Sequence, residues 1–412
     1  MTDLVGARFN SAGWFNRRRL RVHGLLLAVC LWTVFAYNYS TPGRIDRNGL
    51  IKGADFLHFY TLGKLALYGR GDLLYDMQAQ SAMWAFDRDV ANYSYVALYG
   101  PQVSLVFEPL ARLHYLRALA IWLALNVLIY LACCYAVWRH CPNLRDEGLT
   151  VAILALAFPG FFHLIAWGQT SGMALFFLTL AYLALRRGWG LLAGLAIGCL
   201  IFKPQLGLAA SVVFVLSAEW RVVAGAIASA TLQLAIGWIH FGTAVMRAYA
   251  HALWSLRDVM PWLEPRPCQM HSLRAFWSLL IPWPGVAFSL YLVCAAAALG
   301  ITVYCWRHEP LLELRFSALL LATVLVSPHL TVYDLVILAP AFLLLGNWAA
   351  GRAGKTALLV RVLMYACFPL FLLGPVTRFT HLQLSVIAMA GLLVIASMSK
   401  ARFFAAKLRT GN

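Results

Sequence analysis

The sequence predicts an all-α polytopic membrane protein, and three observations support this fold class. Of its 412 residues, 62% are hydrophobic and only 12% are charged, unlike the composition of a soluble globular protein. Its mean hydropathy is +0.74. Apolar runs of about 20 residues, the length needed to cross a ~30 Å hydrocarbon core, recur along the chain. We therefore expect most of the chain to lie in the lipid bilayer.

We predict about twelve transmembrane spans, which form a single multi-pass domain over residues 1–412. Several of the runs are short, so the number of spans could differ from twelve by one or two. In chain order, the predicted spans are 20–39, 118–138, 149–165, 171–185, 191–202, 205–217, 222–241, 286–306, 317–326, 331–348, 357–376 and 382–398.

The basic residues predict the orientation of these spans. Arg17, Arg18, Arg19 and Arg21 precede the first span, which predicts a cytoplasmic N-terminus by the positive-inside rule. With an even number of spans, the C-terminus is expected on the same side. Basic residues at the inner ends of spans also account for the net charge of +17, so nucleic acid is not an expected partner.

Two connections on the outer side are longer than a simple turn, residues 40–117 and 242–284. Loops of this length in a compact protein usually have a function or a structure of their own. In the first loop, Phe56, Phe59, Tyr60, Gly63 and Leu67 recur at helical spacing. This pattern predicts amphipathic helices that lie in the membrane interface.

The nine cysteines include no CxxC pair, and most of them lie inside apolar runs. A buried free cysteine is commonly a small hydrophobic residue. The sequence therefore predicts neither a disulfide framework nor a zinc site.

Alternation of the spans collects polar side chains on the outer face, where ionisable groups near membrane depth are candidates for function. We expect them to converge on one cleft at the outer boundary. The candidates are Asp55, His58, Tyr60, Gln169, Lys203, His271, His329, Tyr333 and Asp334.

Asp55 has two interpretations from its local sequence. Aspartate is a favoured N-cap residue, so Asp55 could cap the helix that follows it, and it could equally perform acid–base chemistry. His58 lies three residues further on, so the two side chains could share a helix face, or either could only order the loop.

The other charged candidates also have structural alternatives. Lys203 could be a snorkelling anchor, although its position beside Pro204 at an outer end, where basic residues are scarce, favours phosphate binding. His329 follows a proline at a helix start, a place that favours an anion, but a lone histidine is often structural. Asp334 could instead hydrogen-bond a neighbouring helix.

Seven segments, taken in order, resemble glycosyltransferase family 87. They are GADFLHFY (53–60), LYD (74–76), YGPQVSLVFEPLARL (99–113), GQTSGMALFFLTLAYLALRRG (168–188), GLAIGCLIFKPQLGL (194–208), HSLRAFWSLL (271–280) and SPHLTVYDLVILAPA (327–341). The chain departs from the family with Tyr99-Gly-Pro, where a Pro-Pro pair is often seen, and with Thr170-Ser171, where Asn is common after Gly-Gln. These departures bear on the sugar and the acceptor.

The resemblance implies the GT-C fold and an enzyme similar to bacterial α-mannosyltransferases and an arabinofuranosyltransferase, which use polyprenyl-phosphate sugars. It implies that Asp55 is the general base and that Lys203 and His329 face the donor phosphate. Substrate binding is the role expected for the remaining candidates, Gln169, His58, Tyr60, His271, Tyr333 and Asp334. Neither a metal nor a cofactor is implied, because the lipid-linked sugar is itself a substrate.

The expected reaction is an inverting transfer of mannose, or of another hexose or pentose, to a lipid or polysaccharide acceptor. A single carboxylate suffices, because it takes the acceptor proton while the phosphate leaves without a strong acid. The expected location is the bacterial inner membrane, with the active site on its periplasmic or extracellular face.

Two other classes of protein share part of this pattern. About twelve spans with both termini inside also suit a transporter or flippase of a lipid-linked or small-molecule substrate. Against this, the large first loop has no counterpart in the second half. An intramembrane protease fits poorly, because Ser171 in Gly168-Gln-Thr-Ser-Gly falls one place late for a Gly-x-Ser-Gly motif.

Overall fold

The computed structural model describes residues 16–84, 95–255 and 267–398. Within these ranges the ordered elements are helices, and the β pairing consists of two isolated bridges, so the all-α prediction is confirmed. Parts of both predicted outer loops, residues 85–94 and 256–266, lie outside the described residues. The same holds for the predicted cytoplasmic termini at 1–15 and 399–412.

The α-helices are numbered in chain order. They are α1 Arg17–Tyr39, α2 Ala54–Leu67, α3 Met77–Trp84, α4 Gln102–Ala111, α5 Tyr115–Trp138, α6 Gly148–Leu156, α7 Pro159–Trp167, α8 Ser171–Arg186, α9 Gly190–Gly198, α10 Pro204–Leu216, α11 Trp220–Trp254, α12 Leu273–Leu280, α13 Pro284–His308, α14 Leu312–Val326, α15 Ala339–Ala350, α16 Lys355–Leu370, α17 Thr377–Thr380 and α18 Leu384–Ser397. A 3-10 helix, Val332–Leu338, leads directly into α15.

Each predicted span overlaps a helix, but fewer than twelve of these helices are long and apolar enough to cross a membrane. Among the residues that the structure describes, five segments are long and apolar enough to cross: α1, α5, α11, α13 and the continuous stretch Val332–Ala350. Two bent pairs, α6 with α7 and α16 with α17, would bring the number to seven. Among the short apolar helices, α10 has 13 residues and a length of about 20 Å, less than the hydrocarbon core. The count of twelve therefore stays a prediction.

The interior of the helical body is built around α14, in which twelve of the fifteen residues are buried. It contacts α10, α13, α15 and α18, which cover it from several sides. Helices α9 and α11 pack with their backbones close together. A Cβ added at Gly194 would lie 2.0 Å from the carbonyl oxygen of Val222, and one at Gly198 would lie 2.3 Å from that of Ala226. Small residues at four-residue spacing permit this close contact.

Helix α2, which carries Asp55, is an internal element of the body. Ten of its fourteen residues are buried, and it packs along α4. A Cβ at Gly63 would lie 2.6 Å from the backbone of Phe107, so the two helices touch at that point. The sequence predicted an amphipathic helix lying in the interface. The helix is present, but neighbouring loop residues cover its apolar face, which periodicity alone does not reveal.

The two predicted outer loops pack against each other. Helix α11 bends at Gly242, and beyond the bend Val245 joins a small apolar cluster with Leu62, Leu65 and Leu74 of the first loop. The second loop also reaches the segment before the 3-10 helix, because Met270 pairs with Thr331 in an isolated bridge. These contacts collect Asp55 and the 329–334 region at one end of the body.

Candidate active site

Asp55 lies in the first turn of α2 and is not its N-cap residue. The N-cap is Gly53, whose φ of 64° lies in the left-handed region and whose added Cβ would lie 2.4 Å from Leu119. The Gly53 N–H donates to the Tyr39 hydroxyl at 2.8 Å, and the Tyr115 hydroxyl donates to the Gly53 carbonyl at 3.1 Å. Glycine and two tyrosines fix the start of the helix, so the capping interpretation of Asp55 is wrong.

Within the part of the chain that the structure describes, the Asp55 carboxylate has one side-chain hydrogen-bond partner. Gln169 donates from Nε2 to Asp55 Oδ2 at 3.0 Å, while Gln169 Oε1 accepts from the backbone N–H of Thr170 at 2.8 Å. This second bond fixes which end of the Gln169 amide faces Asp55. Asp55 is half-buried among fully buried neighbours. Burial raises the pKa of Asp55 to about 6, although the Gln169 hydrogen bond and the charge of Lys203 act in the opposite direction.

Next to Asp55 lies a buried ion pair between Lys203 and Asp334. Lys203 Nζ is 2.8 Å from Asp334 Oδ1 and donates to Ser171 Oγ at 3.0 Å, and Ser171 Oγ donates to the same Asp334 oxygen at 2.5 Å. The exposed fractions of the Lys203 and Asp334 side chains are 3% and 1%. Lys203 is therefore not a snorkelling anchor. Asp334 hydrogen-bonds residues of neighbouring elements, which is the structural alternative that the sequence offered for it. Binding of the donor phosphate by Lys203 stays a prediction.

Tyr333 lies near this ion pair, and His329 lies near Asp55. Lys203 Nζ lies 5.0 Å from the centre of the Tyr333 ring. His329 is close enough for its charge to lower the pKa of Asp55. The 3-10 helix begins at Val332, with Thr331 as N-cap, and Asp334 Oδ2 accepts from the Thr331 N–H at 3.3 Å. His329 thus precedes a helix start that already has a capping box.

His58 and Tyr60 of α2 contact mainly residues of the first loop, and the His58 ring also lies 5.8 Å from that of Tyr99. The His58 ring is buried and stacks on Tyr95 with centroids 5.2 Å apart, and burial lowers its pKa to about 4. The Tyr60 hydroxyl donates to the Leu113 carbonyl at 2.8 Å. His58 therefore lies among loop aromatic residues, and Tyr60 attaches α2 to the turn before α5. Because Asp55 and His58 are three positions apart in the same helix, they lie on one face of it, as their spacing suggested.

The described contacts of His271 do not include Asp55, Lys203 or Asp334. It is fully buried, its Nδ1 shares a hydrogen bond of 2.7 Å with Ser385 Oγ, and its ring meets the edge of Phe371. Burial lowers the pKa of His271 to about 3, so the neutral ring is the form present at neutral pH. Its contacts attach the second loop to α18, and its predicted role in substrate binding stays a prediction.

Two residues outside the predicted set belong to the cluster. Ser171 bridges Lys203 and Asp334, and Tyr99 is near enough to interact with the charges of Lys203, Asp334 and Asp55. Both lie in the segments that carry the family resemblance. Their roles depend on which helices meet, so no single-residue pattern identified them.

Among the described residues, no group of three or more His, Cys, Asp and Glu side chains is arranged to bind a metal ion. Independence from metal and cofactor remains an expectation. The arrangement that is present consists of one accessible carboxylate, one neutralised ion pair and several aromatic and imidazole groups. This set suits proton transfer and the binding of a polar substrate.

Comparison with protein families decides the class of this protein. The model of glycosyltransferase family 87 matches residues 97–328, more than half of the chain. The chain belongs to glycosyltransferase family 87. It is therefore a membrane glycosyltransferase of the EC 2.4 class, and the family match favours this reading over the transporter or flippase alternative. No curated protein and no solved structure gives a comparable match.

Some candidate site residues lie inside the region that matches family 87, and others lie outside it. Gln169 and Lys203 lie inside the matched region, whereas Asp55 precedes it and Asp334 follows it. Gln169 bonds Asp55 and Lys203 bonds Asp334. Residues inside the matched region therefore bond candidate site residues that precede it and follow it in the sequence.

Proposed function

We propose that this family 87 enzyme transfers a sugar from a polyprenyl-phosphate donor to an acceptor hydroxyl, with Asp55 as the general base. One observation carries the proposal. Asp55 is a half-buried carboxylate with one oxygen bonded to Gln169, and among the described residues no hydrogen bond occupies Oδ1. A base needs such an oxygen to accept the proton of an incoming hydroxyl.

In the proposed step, the acceptor oxygen attacks the anomeric carbon as Asp55 takes its proton. The bond between that carbon and the phosphate oxygen breaks, and the lipid phosphate leaves with the electron pair, so the anomeric configuration inverts. With a pKa of about 6, Asp55 is mostly ionised at neutral pH and is a stronger base than an ordinary aspartate.

The leaving phosphate gains negative charge and needs hydrogen-bond donors or positive charge nearby. His329, Tyr333 and Tyr99 are near Asp55 or Lys203, and each is partly exposed. We assign donor binding to these three groups. Lys203 is a weaker candidate for donor binding, because Asp334 balances its charge.

The remaining details extend the family assignment. We propose a GT-C architecture, mannose or another hexose or pentose as the sugar, and a glycolipid or glycan as the acceptor. The site would face the periplasmic or extracellular side of a bacterial inner membrane. The positive-inside distribution of Arg17 to Arg21 supports this orientation.

The test is to incubate the purified protein in detergent with a panel of polyprenyl-phosphate sugars and glycan acceptors, and to identify the products by mass spectrometry. We expect a glycosylated product with the wild type and none with Asp55→Asn. Transport is undefined in detergent, so product formation also separates transfer from translocation. Full activity in Asp55→Asn would contradict the assignment of the base.

A further inference from the structure

The Thr170 hydroxyl makes an unusual hydrogen bond for its position. Thr170 is the N-cap residue of α8, a place where threonine commonly bonds the backbone of its own helix. Within the described residues, its side chain makes no such capping bond. The hydroxyl instead lies 3.2 Å from Oε1 of Gln169, the residue before it. It therefore bonds a side chain of the candidate site and not the end of the helix.

The direction of this hydrogen bond follows from the backbone. The Thr170 N–H, which can only donate, lies 2.8 Å from the same Gln169 Oε1. That atom is therefore the amide oxygen, and the Thr170 hydroxyl also donates to it. Two donors hold this end of the Gln169 amide, while Nε2 at the other end donates to Asp55 Oδ2 at 3.0 Å. The reversed amide would place an oxygen against the carboxylate.

The Thr170 oxygen also contacts Tyr99 of the first loop. The hydroxyl hydrogen is used on Gln169, so the oxygen lone pairs accept from the Tyr99 hydroxyl. The hydrogen bonds then run in one direction, from Tyr99 through Thr170 and Gln169 to Asp55. In such a chain each hydrogen bond polarises the next and strengthens it.

The backbone next to Thr170 is fixed independently of its side chain. Gly168 has a φ of 68°, and an added Cβ there would lie 2.9 Å from the Cβ of Phe56 in α2. Trp122 Nε1 donates to the Gly168 carbonyl at 2.8 Å. The Thr170 side chain is fully buried, so it does not meet a substrate directly. A change of this side chain should therefore act on Asp55 through Gln169.

We propose that the Thr170 hydroxyl is a positioning group, which holds the Gln169 amide in the orientation that donates to Asp55. It binds no substrate and takes no proton. Its effect on catalysis rests on the proposed role of Asp55 as the general base, but its effect on the carboxylate does not. A hydrogen bond to an ionised carboxylate lowers its pKa, so loss of the Thr170 hydroxyl should raise the pKa of Asp55.

Other charged and titratable side chains also face Asp55, from α1, from the segment before α4, from the start of α10 and from the 329–334 region. They are Tyr39, Tyr99, Lys203, His329, Tyr333 and Asp334. Variants at position 170 keep all six, so a difference in the pKa of Asp55 between such variants reports the loss of the hydroxyl.

The test measures the pKa of Asp55 by infrared titration of the detergent-purified full chain. The carbonyl band of protonated Asp55 is the band that is absent in Asp55→Asn. Wild-type Asp55 should titrate at about 6, and Thr170→Val, which keeps the shape of threonine without the hydroxyl, about 0.5 unit higher. Thr170→Ser keeps the hydroxyl and should restore the wild-type value. An unchanged pKa in Thr170→Val, or an equal rise in Thr170→Ser, would overturn the proposal.

Thr179→Val is the matched control. Thr179 is a buried threonine of the same helix, and its hydroxyl donates to the Leu175 carbonyl at 2.8 Å. This variant removes an equivalent hydroxyl without altering the bonds to Gln169, so the pKa of Asp55 should stay at its wild-type value. A rise equal to that in Thr170→Val would mean that any lost hydroxyl has this effect, which contradicts the proposal. Thermal denaturation checks that each variant is folded, and Thr170→Ala takes the place of Thr170→Val if the latter is not.

A double variant tests whether Thr170 acts through Gln169. In the Gln169→Leu background, Thr170→Val should raise the pKa of Asp55 no further, because the amide that the hydroxyl holds is gone. A further rise of the full size would show that Thr170 acts by another route. Sugar transfer is measured separately. Full transfer by Asp55→Asn would contradict the proposed function, while the infrared titration would still decide the role of Thr170.

Discussion

Two carboxylates lie close together in this protein and have opposite environments. Asp334 is 1% exposed, and its Oδ1 accepts hydrogen bonds from both Lys203 and Ser171. Asp55 is partly exposed, and among the described residues it has a single side-chain donor, Gln169. A saturated carboxylate beside a counter-charge is stable and unreactive, whereas one with an unbonded oxygen in a desolvated place is a better base. The contrast favours a structural role for Asp334 and a role in proton transfer for Asp55.

Asp55→Asn is the largest expected effect on activity. The amide oxygen can still accept from Gln169, so the fold is kept, but the side chain no longer takes a proton. We expect transfer to fall roughly 10²–10⁴-fold. Thermal denaturation in detergent should give a Tm equal to or above that of the wild type, because a desolvated carboxylate has been removed. A large loss of Tm would show that Asp55 is structural, like Asp334.

Breaking the buried pair should have the largest effect on stability. Lys203→Met leaves Asp334 buried without its counter-charge, and Asp334→Leu does the same to Lys203. Either change should lower the free energy of unfolding by roughly 3–5 kcal/mol. The double variant removes both charges and should be more stable than either single variant, as measured by thermal denaturation.

The same double variant tests whether Lys203 binds the donor phosphate. If the role of Lys203 is only to neutralise Asp334, the double variant keeps an unchanged KM for the lipid donor. A donor KM raised at least tenfold in a folded double variant would assign phosphate binding to Lys203.

Gln169→Leu should change the pH dependence of sugar transfer, which tests how Gln169 sets the pKa of Asp55. The base must be ionised, so wild-type kcat/KM should fall as the pH drops through about 6, the pKa of Asp55. Gln169 stabilises the ionised form, and its loss should raise the pKa and move this limb by about one unit towards alkaline pH. The measurement is kcat/KM between pH 5 and 9 on the two proteins. An unmoved limb would mean that Gln169 does not tune Asp55.

His58→Phe is the smallest expected effect. Phenylalanine can keep the stacking on Tyr95, and His58 is buried with a lowered pKa, so it is neutral at the pH of the assay. Transfer should stay within about threefold of the wild type, with an unchanged pH profile. A loss comparable to that of Asp55→Asn would return His58 to the active site.

Several site residues were predictable from the sequence because their motifs lie at helix ends. Gln169 and Lys203 lie just before α8 and α10 begin, and Asp55 lies just after Gly53, the N-cap of α2. The predicted topology puts all three on the outer side of the membrane, which suggested that they meet. The contacts of His58, Tyr60 and His271 were not predictable. Each lies near a candidate in sequence, but side-chain direction depends on the packing of α2 against α4 and of the second loop against α18.

Composition, apolar runs and ordered motifs are local properties of the chain, so they were enough to predict the helical membrane class, the family and the candidate base. The pairing of charges is a property of the folded chain. Lys203 and Asp334 are 131 positions apart, and Asp55 and Gln169 are 114 apart. Only the folded chain brings them together, and the free energy of a buried charge depends on the partner it meets there.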